Sequence, residues 1–281
     1  MPIRPEIEQA LSESLARHLE GTPDNLAESI RYSLLSAGKR IRPRLLFECA
    51  KMIGLAQEAA VPAAVALEMV HCFTLIHDDL PCMDDDDIRR GQPSNHKKFG
   101  EAIALLAGDS LMALAVEAFM DVEPLVPRPA FNAALRRLCW AMGPKGVIGG
   151  QAAESRLAGN SSLEDLRAMH AMKTGALFSA ALLIPKDLAG IDNDSSEGLS
   201  IHSFAQELGL AFQVADDFDD SSTEEADPTN ILFFLSREGA RSMTLQRLTS
   251  AAKSLASTWG PKAHPLTLIA DEVTRRLGGS P

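Results

Sequence analysis

The residues best able to do chemistry lie in one stretch, His71 to Gly91, which reads HCFTLIHDDLPCMDDDDIRRG. Asp78 and Asp79 end an apolar run, Asp84 to Asp87 follow a proline-containing step, and Arg89-Arg90-Gly91 close it. Carboxylates followed by paired guanidiniums suit a site that holds a divalent cation and a polyanion together. Mg²⁺ takes oxygen ligands, commonly one or two carboxylates plus substrate phosphates and water. Arginine offers a planar fork that matches phosphate oxygens. Alone, the stretch also fits a solvated acidic loop neutralised by Arg89 and Arg90. A second constellation decides between the two. Phe212 to Asp220 reads FQVADDFDD. On a helix with Asp216 at the origin, Asp220 falls at about 40°, Gln213 at about 60° and Asp217 at about 100°. Three carboxylates and an amide therefore share roughly one quadrant, and Asp219 points elsewhere. Like charges four residues apart disfavour a helix by roughly 0.2–0.5 kcal/mol, a repulsion that a cation relieves. In the first stretch His71 stands two turns before Asp78, within about 20° on the same wheel.

The two clusters resemble the paired aspartate-rich motifs of the trans-prenyl diphosphate synthases. The first is D-D-x-x-x-x-D at Asp78, Asp79 and Asp84 with its RRG tail; the second is D-D-x-x-D at Asp216, Asp217 and Asp220. Gly38-Lys39-Arg40-Ile41-Arg42-Pro43, Gly149-Gly150-Gln151, Lys173-Thr174-Gly175 and Phe212-Gln213 match further family elements in the same order. The resemblance covers the chain from about residue 30 to about residue 220. It implies an all-α, single-domain helical bundle over residues 1–281 around a central apolar cavity. It implies Mg²⁺ bound by Asp78, Asp79, Asp84, Asp216, Asp217 and Asp220, with Arg89 and Lys173 gripping an allylic diphosphate. Thr174 and Gln213 would aim oxygen dipoles at the developing cation, completing a catalytic set with Lys173. Isopentenyl diphosphate would sit on Lys39, Arg42, His71 and Arg90 without metal. The implied reaction is head-to-tail condensation to farnesyl diphosphate (C15) or geranylgeranyl diphosphate (C20) by a homodimer. Two points depart from the pattern or leave it open. The family follows its second motif with a lysine-bearing loop, whereas Ser221 to Asn230, SSTEEADPTN, has no lysine. The family's chain-length position, five before the first aspartate, holds Phe73, which points to C15. On the wheel, however, Phe73 lies far from the Asp78 sector and Thr74 nearer.

Composition narrows the classes. The 281 residues carry 27 Lys and Arg against 38 Asp and Glu, a formal net charge of −11, which argues against nucleic acid or an anionic membrane as main partner. Basic residues are local: Lys39, Arg40, Arg42, Arg44, Arg89 and Arg90. Four scattered cysteines with no C-x-x-C pair favour a reduced, cytoplasmic setting. No apolar signal-like region opens the sequence, and apolar runs are interrupted before the spanning length of about 18 residues, so the reading is a soluble protein with no stable membrane insertion.

The elements that must position these residues read as helices. Ile7, Leu11, Leu15 and Leu19 form an i, i+4 stripe. Helices follow over 25–36, from Pro43 as first residue to Ile53, and over 62–79, the last apolar almost all round and so central. Further helices are predicted over 101–120, 130–142, 146–158, 163–184, 198–220, 226–236, 239–259 and 265–277. Residues 185–197 read as a loop within the domain, and no period-2 strand pattern is present. A terpene cyclase needs no second diphosphate site, which Lys39, Arg42 and His71 supply; a metal-buffering protein leaves the paired basic residues unexplained. A non-catalytic partner subunit of a heteromeric synthase is favoured only by the lysine-free loop. Replacing Phe73 by Ala is expected to lengthen the product, read from the product ladder; an unchanged ladder would remove Phe73 as the pocket floor.

Overall fold

The computed structural model describes residues 3–220 and 227–278, and among them thirteen α-helices carry the architecture. In chain order they are α1 (Ile3–His18), α2 (Asp24–Leu34), α3 (Ile41–Ile53), α4 (Gln57–Asp78), α5 (Asn95–Phe99), α6 (Glu101–Met120) and α7 (Arg128–Met142). They continue with α8 (Val147–Glu154), α9 (Leu163–His170), α10 (Ala176–Leu188), α11 (Ser196–Asp219), α12 (Arg237–Trp259) and α13 (His264–Arg276). The α1 stripe is buried as the spacing requires, with Ile7, Leu11, Leu15 and Leu19 all facing the core. α4 is apolar on nearly all sides because it is enclosed by α1, α2, α3, α6 and α10. α10 is its counterpart in the other half, packed on α3, α4, α7 and α11, while α12 covers α11. Buried apolar side chains from Ile7 to Leu277 form one continuous cluster.

Several boundaries differ from the periodicity. α3 begins at Ile41, so Pro43 is its third residue, still within the first turn where a missing N–H costs nothing. The predicted 163–184 helix is two helices joined by a π-helical turn, Ala171–Gly175. α10 runs on through Pro185 to Leu188, and Lys186 and Asp187 are buried as an ion pair at 2.9 Å, so the turn is confined to the residues before α11. Ser195 caps α11 by accepting the Gly198 N–H. Of the predicted 226–236 helix, the described part holds only a 3₁₀ turn, Ile231–Phe233. The 221–226 part of the lysine-free loop lies outside the described residues.

Two apolar stretches, contrary to the expectation from the sequence, do reach a spanning length. Gln57–Asp78 and Glu101–Leu125 are long and apolar enough to cross a membrane by length and composition. In the first, 72% of the apolar window is buried inside the protein, and in the second 44%, so enclosure by neighbouring helices accounts for the first more fully.

One small hairpin escaped the period-2 search. β1 (Ile88–Arg89) and β2 (Gln92–Pro93) pair antiparallel, Ile88 opposite Pro93 and Arg89 opposite Gln92. Their turn is Arg90-Gly91, with φ of 54° and 77°. A two-residue hairpin turn of this hand needs positive φ at both central positions, which explains the glycine and leaves Arg90 strained.

Arg40 locks the segment before α3. It adopts a left-handed φ of 48° and is 4% exposed. Its guanidinium bonds Glu8 of α1 at 2.9 Å, Glu68 of α4 at 2.6 Å, and the carbonyls of Leu34 and Ser36. Removing one partner of a buried pair strands the other charge. Arg40→Met is therefore expected to cost about 3–5 kcal/mol, read as a lower urea midpoint. Adding Glu68→Leu should recover much of that loss; no recovery would mean the pair is not the anchor.

Candidate active site

Lys39, Arg42, His71 and Arg90, drawn from three separate segments, line one cleft of about 580 Å³ together with Phe212 and Asp216. The Arg42 guanidinium lies 5.1 Å from the centroid of the Phe178 ring. Its Nε is buried with no hydrogen-bond partner among the described residues, and burial pushes its pKa down to about 10. An unanswered guanidinium facing a cleft fits an anion. Burial, reinforced by Arg42 and Arg90, holds His71 well below the ordinary histidine range, so it stays neutral. Arg90 enters through the absence of a side chain at Gly38, where a Cβ would lie 2.7 Å from Nη1, and it donates to Ser36 Oγ at 3.2 Å.

The first acidic motif ends α4. The Asp84 N–H donates to the Asp78 carbonyl at 2.9 Å, folding the loop back on the helix end. Burial raises the Asp78 carboxyl to about 7; Lys173 opposes the rise, and Asp84 and Glu154 add to it. Asp79 is 2% exposed, accepting from Arg89 Nε at 2.8 Å. Arg89 also reaches Asp86 at 2.6 Å, so it is held between two carboxylates.

The second motif ends α11. Asp216 lines the cleft and accepts from Arg276 at 2.7 Å. The same guanidinium nitrogen contacts Asp219 at 2.6 Å, so Asp219, set apart by the helical wheel, is drawn back toward Asp216. Asp217 is 4% exposed and accepts from Gln213 Nε2 and from the Ile231 N–H, each at 2.8 Å; burial raises it to about 6. The Thr174 hydroxyl donates to Gln213 Oε1. Gln213 oxygen is thus engaged, and the remaining Thr174 oxygen lone pairs are the freer dipole. Asp220 is exposed.

The π-helical turn carries Lys173 and Thr174 and packs on α8. Gly150 makes this possible: a Cβ there would stand 2.2 Å from the Lys173 backbone nitrogen. Lys173 pairs with Glu154 of α8. Phe73 is 2% exposed and edge-on to His77 at 5.9 Å, and His77 bonds the Leu105 carbonyl of α6 at 3.0 Å. Phe73 therefore shares a face of α4 with His77.

Carboxylate oxygens in a partly buried, mutually repelling group fit a hard divalent cation. The six predicted ligands are not gathered as one tight group. Among the described residues, Asp85, Asp87 and His96 are the three whose ligand atoms lie within 4.8 Å of one another.

A family model described as polyprenyl synthetase matches residues 23–230. The chain is 38% identical over 284 residues to a geranylgeranyl pyrophosphate synthase of Capsicum annuum, covering 96% of this chain and 76% of that one. It is 40% identical over 216 residues to a farnesyl diphosphate synthase of Geobacillus stearothermophilus, covering 75% and 72%. A geranyltransferase structure from Legionella pneumophila superposes with a TM-score of 0.87 at 31% identity over 98% of this chain and 96% of that one. The chain belongs to the polyprenyl synthetase family.

Two residues of this polyprenyl synthetase escaped the sequence reading. Arg276 comes from the last turn of α13, and its signal was the Arg275-Arg276 pair following an apolar helix. Arg40 stands in the sequence as one of a local group of basic residues, and only its buried partners Glu8 and Glu68 separate it from Lys39 and Arg42. Gly150→Ala should displace the Lys173 turn: turnover is expected to fall at least tenfold with a stability loss of about 1–3 kcal/mol, measured by single-turnover kinetics and thermal melting. Unchanged turnover would detach the turn from catalysis.

Proposed function

We propose that this polyprenyl synthetase joins isopentenyl diphosphate to an allylic diphosphate, releasing diphosphate and a C15 or C20 product. The observation that carries the reading is the convergence of Lys39, Arg42, His71 and Arg90 on one cleft bordered by Asp216. That cleft would take isopentenyl diphosphate, with Arg42 and Arg90 as forks, Lys39 as a point charge and neutral His71 as a hydrogen-bond partner. Asp78 and Asp216, supported by Asp84 and Asp220, would hold Mg²⁺, with Asp79 acting through Arg89 and Asp217 through Gln213. When bound, Mg²⁺ would neutralise charge on the leaving diphosphate. Lys173 and Arg89, both within electrostatic reach of Asp78, would add cationic stabilisation as the allylic C–O bond breaks and its electron pair leaves with diphosphate. Thr174 directs an oxygen dipole toward the carbocation. The isopentenyl double bond forms the new C–C bond, and the departing diphosphate takes the released proton.

The continuous core from Ile7 to Leu277 supports a single domain. Exposed Leu105, Leu106 and Met120 on α6, at 47%, 49% and 42%, support a homodimer through that helix. Four free cysteines support a reducing, cytoplasmic setting. The partner-subunit reading loses ground because Arg276 brings a cation to the second motif from α13.

Incubation with Mg²⁺, isopentenyl diphosphate and, separately, C5, C10 and C15 allylic primers is expected to yield C15 or C20; no product from any primer would favour the partner-subunit reading. Asp78→Ala and Asp216→Ala should each abolish turnover while circular dichroism keeps its helical signal. Arg42→Gln should raise KM for isopentenyl diphosphate about tenfold or more, the scale of one charge-assisted hydrogen bond, with less effect on the allylic primer.

A further inference from the structure

Ala171 and Gly175, the two ends of the π-helical turn, line a second cavity of about 340 Å³. None of the residues placed in prenyl transfer borders it. Its apolar walls include Trp140 of α7, Leu183 of α10 and Leu210 of α11. Three guanidiniums also reach it, from Arg137, Arg167 and Arg247. Arg247 is answered by Glu207 through two bonds of 2.8 and 2.7 Å. Arg137 is answered by Asp187, but Asp187 is shared with buried Lys186. Arg167 contacts no carboxylate among the described residues. Its Nη2 meets only the Met243 sulfur, and its Nε is buried without a partner. The walls therefore carry three guanidiniums against the one carboxylate of Glu207, and Asp187, behind Arg137, is shared with Lys186, in a chain whose formal net charge is −11. A guanidinium whose buried Nε has no acceptor and whose Nη2 meets only a weak thioether keeps hydrogen-bonding capacity for an anion.

We propose that this cavity binds a small phosphate monoester bearing a short apolar body. The excess of two positive charges matches a dianion, and guanidinium forks match phosphate oxygens better than a point charge does. Trp140, Leu183 and Leu210 need an apolar body to cover them, and a volume near the lower end of the usual range, roughly 300–1,000 Å³, keeps that body short. His202, also on the wall, is held below its ordinary pKa by burial and then by Arg137 and Lys186; neutral, it adds a hydrogen-bond partner without changing the charge balance.

The ligand would press on the turn that carries Lys173 and Thr174. That turn has little slack, since a Cβ at Gly150 of α8 would lie 2.2 Å from the Lys173 backbone nitrogen and one at Gly209 of α11 would lie 3.2 Å from the Gly175 Cα. Occupancy is thus expected to change kcat, a consequence that rests on the prenyl-transfer reading; the binding itself does not.

The test uses Trp259→Phe, which leaves Trp140 as the one remaining tryptophan of two. Hexyl phosphate, hexanoate and inorganic phosphate are titrated without substrates or Mg²⁺, following Trp140 emission. Hexyl phosphate should give a saturable change, with hexanoate and inorganic phosphate each at least tenfold weaker. Arg167→Gln should weaken hexyl phosphate at least tenfold at an unchanged melting temperature. Should that variant melt early, Ser179→Phe, which fills the cavity, must abolish the change instead. No saturable change, equal affinity for hexanoate, or full binding in both Arg167→Gln and Ser179→Phe would overturn the proposal. An enzyme inactive in prenyl transfer that still binds hexyl phosphate this way would leave it standing.

Discussion

Two long core helices, α4 and α11, each end in carboxylates at the pole where the helix dipole already favours cations. That opposition is compounded by burial, which raises Asp78, Asp79, Asp216 and Asp217 above the usual carboxylate range. The elements around the two helix ends are arranged to answer it. The β1–β2 hairpin returns Arg89 to Asp79, the π-helical turn brings Lys173 within the electrostatic reach of Asp78, and α13 delivers Arg276 to Asp216. These cations come from points far apart in the chain, so the acid ends tie the tertiary structure together as well as defining the site.

The cationic cleft is organised by the opposite problem, which is to keep Arg42 and Arg90 close without a carboxylate paired to either among the described residues. Arg40 shows the alternative fate: with Glu8, Glu68 and two carbonyls it is fully answered and becomes part of the core. Because it occupies a left-handed residue at the start of α3, its neighbours Lys39 and Arg42 are carried to the cleft. His71 stays neutral among them, which avoids adding a further like charge. Of the three neighbouring cations, Arg40 is thus committed to the scaffold while Lys39 and Arg42 are left along the cleft.

The helical character and most element spans were legible because apolar spacing reports which face is buried. The failures were physical in kind. Pro185 did not end α10, because burial on all sides holds a helix that local propensity disfavours. The hairpin was too short to show a period, and its evidence was instead the Arg-Gly turn. The π-helical turn left no mark in spacing, although the adjacent Gly150 records how closely α8 approaches it. Site residues were legible as types and order. Their partners were not, because Arg276 lies 60 residues from Asp216 and only packing of α13 against α11 brings them together.

The aspartate doublets follow from this geometry. Consecutive residues on a helix point about 100° apart, so two adjacent carboxylates cannot both face one cavity equally. At α4, Asp78 is the partly exposed member near Lys173, and Asp79 is buried on Arg89. At α11, Asp216 lines the cleft, and Asp217 is buried on Gln213 and the Ile231 N–H. Each doublet therefore divides into a carboxylate turned to the site and one that fixes a neighbouring group. The fixed member of the first pair orients a guanidinium, and that of the second orients the amide that receives the Thr174 hydroxyl. A single aspartate would supply the charge; the second sets the position of what stands beside it.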